Sequence, residues 1–520
     1  MTITSHYLNI PIGYAVKVKM IQLDIDGKLK REIPVRIAED TIAYWIFIDV
    51  TEFKGKEITL SCPTHLQNLK RIYQSDKISG SDSLYKELNR PQFHFTVKRG
   101  WNNDVNGPIY FKGQYHLFWQ SYPFDVNANV AYMYWGHAVS TDLLHWKELD
   151  PSLILDSLGS PWSGTAVIDH NNDGGWGKDA LVLFYACYDL LSGKQVQCVA
   201  YSNDDGKTFH RITGNPVVDS NEDMDTNDTR DPKVFWYEPT KRWVMVLFEK
   251  DGMSFYNSTD MKKWTKKSHF KGLWECPDFF ELAVDGDASK KKWVIHGGSA
   301  EYFIGSFDGE VFKPESEKLQ YAEGQNDGKT DLLYASESFE NMPDNRRVQM
   351  AWGRIVHENM PFNQMILFPT EFSLRTTPKG TRLVAEPITE INQLHKTTHS
   401  WNHISLVDVN QELNKIKAGP LHVKMKFSLA PGNRLSLRYQ GNVFLDLADS
   451  DMKSGENELE ILIDKTVAEI FLNHGERYIV HQLVHPTNNN SLEIDGYKYG
   501  PDIKSLDVYE MKSIWENSSE

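Results

Sequence analysis

An internal repeat between about residues 90 and 390 constrains the fold of this chain more than any other feature. Five apolar, aromatic-rich segments recur every 50 to 65 residues or so, as β-units do in repeat architectures. They lie at 115–120, 180–185, 242–247, 292–296 and 347–352. Four are followed by a serine, an aspartate turn and an aromatic residue, at Ser140/Asp142/Trp146, Ser202/Asp204/Phe209, Ser258/Asp260/Trp264 and Ser306/Asp308/Phe312. This pattern predicts propeller blades, and five repeats predict five blades.

The segments on either side of the repeat also read as β-structure. Residues 1–85 contain short runs rich in β-branched and aromatic residues, and the polar stretch 76–89 reads as a linker. Residues 391–520 contain several runs that alternate apolar and polar side chains. We therefore predict an all-β chain in which a five-bladed β-propeller (86–390) is flanked by a small N-terminal β-sandwich (1–85) and a C-terminal β-sandwich (391–520).

In each repeat, the strand before the aromatic strand should line the central axis, with its start at one end of a funnel. Those starts carry Asp104, Ser163-Gly164, Arg230-Asp231-Pro232, Glu275-Cys276-Pro277-Asp278 and Asn326-Asp327-Gly328. Carboxylates from different blades should therefore converge, which suits nucleophilic attack and proton transfer at a glycosidic bond. A calcium site built from the same oxygens is the main structural alternative.

The first of these starts lies in the segment 99–107, where amides flank Asp104. The pair Asn106-Gly107 predicts a turn that delivers the chain into a strand and holds the acid among hydrogen-bond partners. An Asx-rich turn before a hairpin, without any catalytic role, explains the same residues.

Among the candidate acids, Glu275 has the most apolar neighbours in sequence. It stands between Trp274 and Cys276, and Pro277 follows. An apolar setting raises the affinity of a carboxyl group for its proton, so we expect Glu275 to act as the acid.

Three motifs, in this order, resemble those of glycoside hydrolase family 32, the β-fructofuranosidases, which include invertases, inulinases and levanases. Residues 101–107 are similar to the family's Trp-Met-Asn-Asp-Pro-Asn-Gly stretch, with Asn102 for Met and Val105 for Pro. Residues 230–232 match its Arg-Asp-Pro motif, and 274–277 match its Glu-Cys motif. Weaker agreement is found at 135–138, 142–146, 163–167, 331–335 and 368–371.

The resemblance implies that Asp104 is the nucleophile, Glu275 the acid/base and Asp231 the stabiliser of the transition state. It further implies retention of configuration and no metal or other cofactor. The predicted substrate-binding residues are Asn103, Gln120, Trp135, Ser163, Arg230 and Trp352.

Two departures from the family pattern bear on the pocket. Val105 replaces a rigid proline just after the predicted nucleophile. Many family members also carry a tryptophan about five residues before the Trp-Gly-His run, where Val130 stands here. We expect neighbouring aromatic residues to restore the wall, namely Tyr122, Phe124, Tyr132 and Tyr134.

Composition narrows the class of partner. A formal net charge of -15 argues against nucleic acid and against an anionic membrane surface. There is no apolar run of about 18 residues, so we expect no membrane-spanning segment. We find no export signal at the start, and the compartment stays open; an extracytoplasmic location is expected if such a signal has been removed.

The cysteines Cys62, Cys187, Cys198 and Cys276 have neither zinc-site spacing nor disulfide-scaffold density, so we predict buried thiols.

We therefore predict a retaining glycosidase that cleaves fructans or sucrose and releases terminal fructose. The alternatives left open are an endo-acting levanase or inulinase, a fructosyltransferase, an inverting arabinan or xylan hydrolase on the same architecture, and a non-catalytic sugar-binding protein. Preference among levan, inulin and sucrose, and the oligomeric state, are not encoded in any pattern that we identify.

Overall fold

The computed structural model describes residues 1–62, 69–326, 330–484, 491–497 and 500–516, so that Asp327 and Gly328 lie outside the described residues. Strands dominate, and the all-β prediction is confirmed. The α-helices within these ranges are short, at Asn221–Met224 and Leu406–Leu413. None of the helices in these ranges is long and apolar enough to cross a lipid bilayer. Single 3-10 turns lie at Thr51–Phe53, Ser81–Ser83, Val130–Tyr132, Pro343–Asn345, Thr389–Leu394 and Asp449–Asp451.

The N-terminal region forms two three-stranded sheets that share one apolar core. In the strand Lys19–Ile25, Ile21 and Leu23 are buried whereas the intervening Gln22 is partly exposed, which is the alternation expected of a strand with one face on a core. The strands are Tyr7–Ile12, Lys19–Ile25, Lys28–Val35, Tyr44–Asp49, Ile58–Ser61 and Tyr73–Ser75.

The central region repeats antiparallel strands in chain order, and each predicted aromatic segment lies in the second strand of its repeat. The first three repeats contain Gly100–Phe111, Gln114–Tyr122, Tyr134–Ser140 and Lys147–Leu153; Ser160–Asp169, Ala180–Tyr188, Gln195–Ser202 and His210–Arg211; Thr229–Tyr237, Arg242–Glu249, Gly252–Ser258 and Thr265–Lys271. The serine and aspartate of the repeated turn are hydrogen-bonded in these three repeats, for example Ser202 Oγ to Asp204 Oδ1 at 2.7 Å.

The fourth and fifth repeats belong to one continuous sheet, which differs from the separate sheets of the first three. They are joined where Val284 pairs with Leu374 in parallel. The strands of this sheet are Asp278–Val284, Asp287–His296, Glu301–Phe307, Phe312–Pro314, Leu319–Gln320, Leu333–Ser338, Val348–Gly353, Met365–Ile366, Thr370–Thr377 and Gly380–Pro387. Four short strands between them pair elsewhere: Ala322–Glu323, Gln325–Asn326, Thr330–Asp331 and Phe362–Asn363.

The C-terminal region has a seven-stranded sheet and a three-stranded sheet, with apolar side chains of both in one core. Ala322–Glu323 of the central region joins the larger sheet in parallel with Arg477–Gln482. The C-terminal strands are His395–Asn402, Leu421–Ser428, Arg434–Tyr439, Asn442–Ala448, Glu456–Ile463, Val467–Leu472, Arg477–Gln482, Leu492–Tyr497 and Asp502–Met511.

The prediction of four buried thiols is wrong for two cysteines. Cys187 and Cys198 form a disulfide with a Cα–Cα distance of 6.2 Å, whereas Cys62 and Cys276 are free and buried. The bonded pair lies on adjacent antiparallel strands, where Tyr185 faces Cys198. Strand pairing, which sequence spacing does not report, brings these two sulfur atoms together.

Candidate active site

Four of the five predicted strand starts contribute residues to one pocket of about 310 Å³, namely Asp104, Ser163, Arg230-Asp231 and Glu275, whereas Asn326 of the fifth does not line it. Four of the strands that supply it, which we call the inner strands, are Gly100–Phe111, Ser160–Asp169, Thr229–Tyr237 and Leu333–Ser338. The pocket is lined by Asn103, Asp104, Gln120, Val130, Met133, Trp162, Ser163, Gln195, Asp228, Arg230, Asp231, Glu275, Tyr334, Trp352 and Arg354.

Each of these inner strands breaks its pairing register at the site residue. The shifts lie between Asn102 and Val105, between Pro161 and Gly164, between Arg230 and Lys233, and between Tyr334 and Glu337. A β-bulge re-aims the side chain of the extra residue, and bulges are common beside active sites. The bulges therefore turn Asp104, Ser163 and Asp231 toward the common pocket, whereas Tyr334 pairs with Trp352 directly before the shift in its strand.

Asp104 lies within a continuous strand and not at the entrance of one, so the predicted Asn106-Gly107 turn is wrong. Gly107 has a φ of 47°, and a Cβ there would lie 2.2 Å from the backbone nitrogen of Ala166. Gly107 therefore allows two inner strands to approach each other closely, and it does not form a hairpin turn.

The Asp104 carboxylate has one neutral hydrogen-bond donor, the Ser163 hydroxyl, at 2.7 Å from Oδ2. Burial, and then the negative charges of Asp231 and Glu275, raise the pKa of Asp104 to about 7.

Asp231 has a φ of 61°, which an L-residue adopts only when its surroundings hold it there. Its Oδ2 accepts a hydrogen bond of 3.0 Å from the backbone N–H of Cys276, whose sulfur lies 3.5 Å from the same oxygen. Burial raises the pKa of Asp231 to about 6, although the neighbouring Arg230 guanidinium opposes this rise.

The setting of Glu275 is polar, so the apolar neighbourhood predicted for it is wrong. Arg230 Nη2 lies 2.9 Å from Glu275 Oε2, and the Tyr334 hydroxyl donates to Glu275 Oε1 at 2.5 Å. The adjacent Trp274 side chain is 48% exposed and does not enclose the carboxylate. The φ of Glu275 is 28°, and its carbonyl accepts from the N–H of Gly298 at 2.9 Å, which fixes this strained turn.

We refer to Asp104, Asp231 and Glu275 together as the pocket carboxylates. No group of three or more His, Cys, Asp or Glu side chains is arranged as a metal site in the part of the chain that the structure describes, so the calcium alternative gains no support.

Five of the six predicted substrate-binding residues line the pocket: Asn103, Gln120, Ser163, Arg230 and Trp352. Asn103 Oδ1 is buried and has no hydrogen-bond partner in the protein. Trp135 does not line the pocket. It is fully buried, and its indole N–H donates to the carbonyl of Trp162 at 2.9 Å. Trp135 therefore supports a pocket residue from behind.

The wall near Val130 is built by Trp162, which the sequence reasoning missed. Its indole N–H donates to the carbonyl of Val130 at 2.8 Å, and its ring stacks on Tyr188 with centroids 4.2 Å apart. The expectation that nearby aromatic residues restore this wall is wrong, because they pack on the N-terminal core: Tyr122, Phe124, Tyr132 and Tyr134.

Two further residues were missed because they act across repeats. Tyr334 lies in the family-like segment 331–335, which is a signal that was available. The guanidinium of Arg354 lies 3.6 Å from the centroid of the Tyr334 ring, and its charge lowers the pKa of Asp104. Only the fold brings Arg354 to this position.

A second group, the buried ionic cluster, comprises Lys233, Asp278, Glu337 and Glu340, of which Lys233 and Glu337 lie further along inner strands. Lys233 Nζ lies 3.0 Å from Asp278 Oδ1 and 2.9 Å from Glu340 Oε1. Glu337 Oε2 accepts from the backbone N–H of Gly107 at 2.5 Å. Lys233 and Asp278 are fully buried, and Lys233 lies two residues after Asp231 on the same inner strand.

Three carboxylates that meet in one pocket, with a cation and hydroxyl donors placed among them, define the chain as a glycosidase. Residues 94–387 match the N-terminal domain of the glycosyl hydrolases family 32. The chain therefore belongs to this family.

Individual relatives agree with the assignment. The chain is 32% identical over 501 residues to a levanase of Bacillus subtilis strain 168, with 84% of this chain and 72% of that protein covered. It is 33% identical over 356 residues to the extracellular exo-inulinase of Aspergillus niger, covering 58% of this chain and 65% of that protein. Among solved structures, the exo-inulinase of Aspergillus awamori superposes with a TM-score of 0.70 at 25% identity, covering 83% of this chain and all of the other.

Proposed function

We propose that this chain is an exo-acting, retaining hydrolase of β-fructofuranosidic bonds in fructans or sucrose. Asp104 attacks the anomeric carbon of the terminal fructosyl unit while Glu275 protonates the leaving oxygen. Glu275 then takes a proton from water, which releases fructose from Asp104. Asp231 stabilises the positive charge that develops on the sugar ring.

The observation that carries this proposal is the unequal pairing of the pocket carboxylates. Asp104 has no cation within hydrogen-bond distance in the described structure, so its oxygens stay available for attack. Glu275 is held by Arg230 on one oxygen and by the Tyr334 hydroxyl on the other, which fixes it for proton transfer. Burial and the neighbouring negative charges raise the pKa of Asp104 to about 7, so the attacking carboxylate forms as the pH rises through neutrality.

Two contacts support the five-bladed arrangement. Neighbouring inner strands touch each other, as Gly100–Phe111 touches both Ser160–Asp169 and Leu333–Ser338. Phe362–Asn363 of the last repeat pairs in parallel with Gly100 and Trp101 of the first, which closes the ring. The paired sheets around a shared core support sandwiches at 1–85 and 391–520.

A pocket that is closed at one end supports exo-action. The buried ionic cluster lies at that end, further along the inner strands, and Trp162 with Val130 walls one side. A terminal sugar fits such a blind pocket, whereas an internal unit needs two exits. The relatives named exo-inulinase support the same mode.

A time course on levan and on inulin, followed by carbohydrate chromatography, tests this proposal. We expect fructose as the only early product. An early ladder of oligosaccharides shorter than the substrate contradicts exo-action, and products longer than the substrate indicate fructosyl transfer. The anomer first released, read by proton NMR, separates retention from the inverting alternative.

A further inference from the structure

A second cavity of about 450 Å³ opens at the opposite ends of the inner strands. Asp231 lies near the start of Thr229–Tyr237, and Phe235 to Tyr237 at its end line this second cavity, about 13 Å further along the strand. The buried ionic cluster separates the two cavities, so the second one is not part of the active site. We call it the rear cavity.

Aromatic rings dominate the lining of the rear cavity. Phe235, Trp236, Tyr237 and Trp293 are all partly exposed, unlike the fully covered aromatic residues of the neighbouring core. Trp236 meets Trp243 edge to face with centroids 5.3 Å apart, so that Trp243 supports it from one side. Partly exposed rings held rigid by packed neighbours form binding surfaces that lose little conformational entropy when a ligand binds.

The polar groups at the rim of the rear cavity are mainly carboxylates, which accept hydrogen bonds and do not attract anions. Glu238 is exposed and accepts from the Trp236 indole N–H at 2.6 Å. Glu281 is exposed beside it, paired with Lys291 at 3.0 Å. The cation that lines the cavity, Arg347, is engaged with the Glu340 carboxylate at 3.4 Å. Carboxylates beside aromatic rings suit a neutral ligand that presents hydroxyl groups and C–H faces.

We propose that the rear cavity binds an internal segment of a neutral fructan chain and anchors the enzyme on its polymer. The identity of this ligand rests on the proposed function, because fructan is the neutral polyhydroxylated chain that the active site handles. The two cavities face opposite ends of the same strands. A polymer held at the rear therefore leaves the blind pocket free for a neighbouring chain end, and the tether raises its effective concentration.

Native gel electrophoresis through levan or inulin tests this anchor. The protein carries Asp104→Asn so that the polymer is not consumed, and excess fructose in the gel fills the pocket. We expect levan, inulin or both to retard this variant. Adding Trp236→Ala should weaken the retardation by about tenfold, the size expected from a lost aromatic contact. Glu238→Ala, at an exposed position that the core does not need, should weaken it in the same direction.

Trp401→Ala is the matched control, since Trp401 is also partly exposed but stacks on His399 in the C-terminal region. Its retardation should be unchanged. The proposal is overturned if the Asp104→Asn protein is not retarded in the presence of fructose, or if Trp236→Ala and Glu238→Ala are retarded as strongly as their parent.

Sucrose turnover, measured separately in otherwise wild-type protein, keeps this outcome distinct from failure of the proposed function. Trp236→Ala should leave it unchanged, which also reports on folding. If wild-type protein hydrolyses no fructan or sucrose at all, the proposed function fails whatever the gels show.

Discussion

The pocket carboxylates and the buried ionic cluster lie on the same strands but balance their charges differently. Asp231 and Lys233 are only two residues apart, but their environments differ. Asp231 faces the other acids of the pocket, whereas Lys233 bridges the carboxylates of Asp278 and Glu340. Burial raises the pKa of Asp231, whereas Lys233 holds the pKa of Asp278 below its ordinary value although burial opposes this.

Along one strand, the pocket residue Asp231 therefore serves function, whereas the cluster residue Lys233 serves stability. In the cluster, Lys233 offsets the burial of Asp278 and Glu340, so these ion pairs stabilise the fold, although burial and the neighbouring carboxylates raise the pKa of Glu337 well above its ordinary value. In the pocket, like charges face each other at a cost to the folded state, which is how active sites tune carboxyl groups for proton transfer and attack. Five predictions test this contrast.

The largest effect is expected at the nucleophile. Asp104→Asn is nearly isosteric but cannot attack, so the rate of fructose release should fall by about 10⁴-fold or more. Initial rates on sucrose and levan measure this, with circular dichroism as the check on folding. Near-normal rates in a folded variant rule out the assigned role.

Lys233→Met should instead unfold the protein more easily. Removing the ammonium leaves the fully buried Asp278 without its ammonium partner, whereas Glu340 keeps Arg347, and we expect a loss of about 3 kcal/mol in the free energy of unfolding. Urea denaturation measures it, and Lys233→Met combined with Asp278→Asn should recover part of the loss. An unchanged midpoint shows that the cluster does not stabilise the fold.

Urea denaturation of Asp104→Asn should show a gain in the free energy of unfolding, opposite to the loss expected for Lys233→Met. Because the pKa of Asp104 is raised by folding, ionisation of this group lowers stability as pH rises from about 4 to about 7. The variant should therefore be more stable than the parent at pH 8, with a smaller gain at pH 4. A loss of stability at pH 8 contradicts the contrast between the two groups.

The decrease in kcat/KM at acidic pH, which we call the acid limb, should follow the protonation of Asp104. The kcat/KM on sucrose should fall about tenfold per pH unit below pH 7, as Asp104 takes up its proton. Asp231→Asn removes a charge that raises this pKa, so the limb of its residual activity should move to lower pH. A profile that is flat to pH 5 in wild-type protein contradicts the account.

The smallest effect is expected at the neutral donor. The Ser163 hydroxyl stabilises ionised Asp104, so Ser163→Ala should raise the pKa of Asp104 and move the acid limb to higher pH. One lost hydrogen bond predicts an extra loss of about fivefold at pH 6 over that at pH 8. A loss that is equal at the two pH values indicates that the hydroxyl serves only substrate binding.

Much of the fold and of the site was predictable because short sequence patterns determine it. The period of the aromatic strands marks the repeats, and Asp104, Asp231 and Glu275 stand in short motifs that precede those strands in the sequence. These residues converge in the structure on one pocket. Local composition is sufficient here because the strands within each repeat pair in sequence order, and the first three repeats form separate sheets.

The errors arose where contacts between repeats decide the outcome. Asn106-Gly107 has the composition of a turn, yet the approach of Ala166 makes it a bulge within a strand. Trp274 and Cys276 suggest an apolar setting for Glu275, but Arg230, from another repeat, supplies a cation. Trp162 lies directly before Ser163 and gave no signal of its own, because its role depends on the carbonyl of Val130.

The most direct test of the account is to trap the sugar on its nucleophile. Glu275→Gln should still react with a fructoside that has a good leaving group, but the covalent intermediate should persist because no base activates water. Mass spectrometry of peptides after a rapid acid quench is predicted to find one fructosyl group on Asp104. An adduct on another residue, or turnover without an adduct that first releases the inverted anomer, contradicts the account.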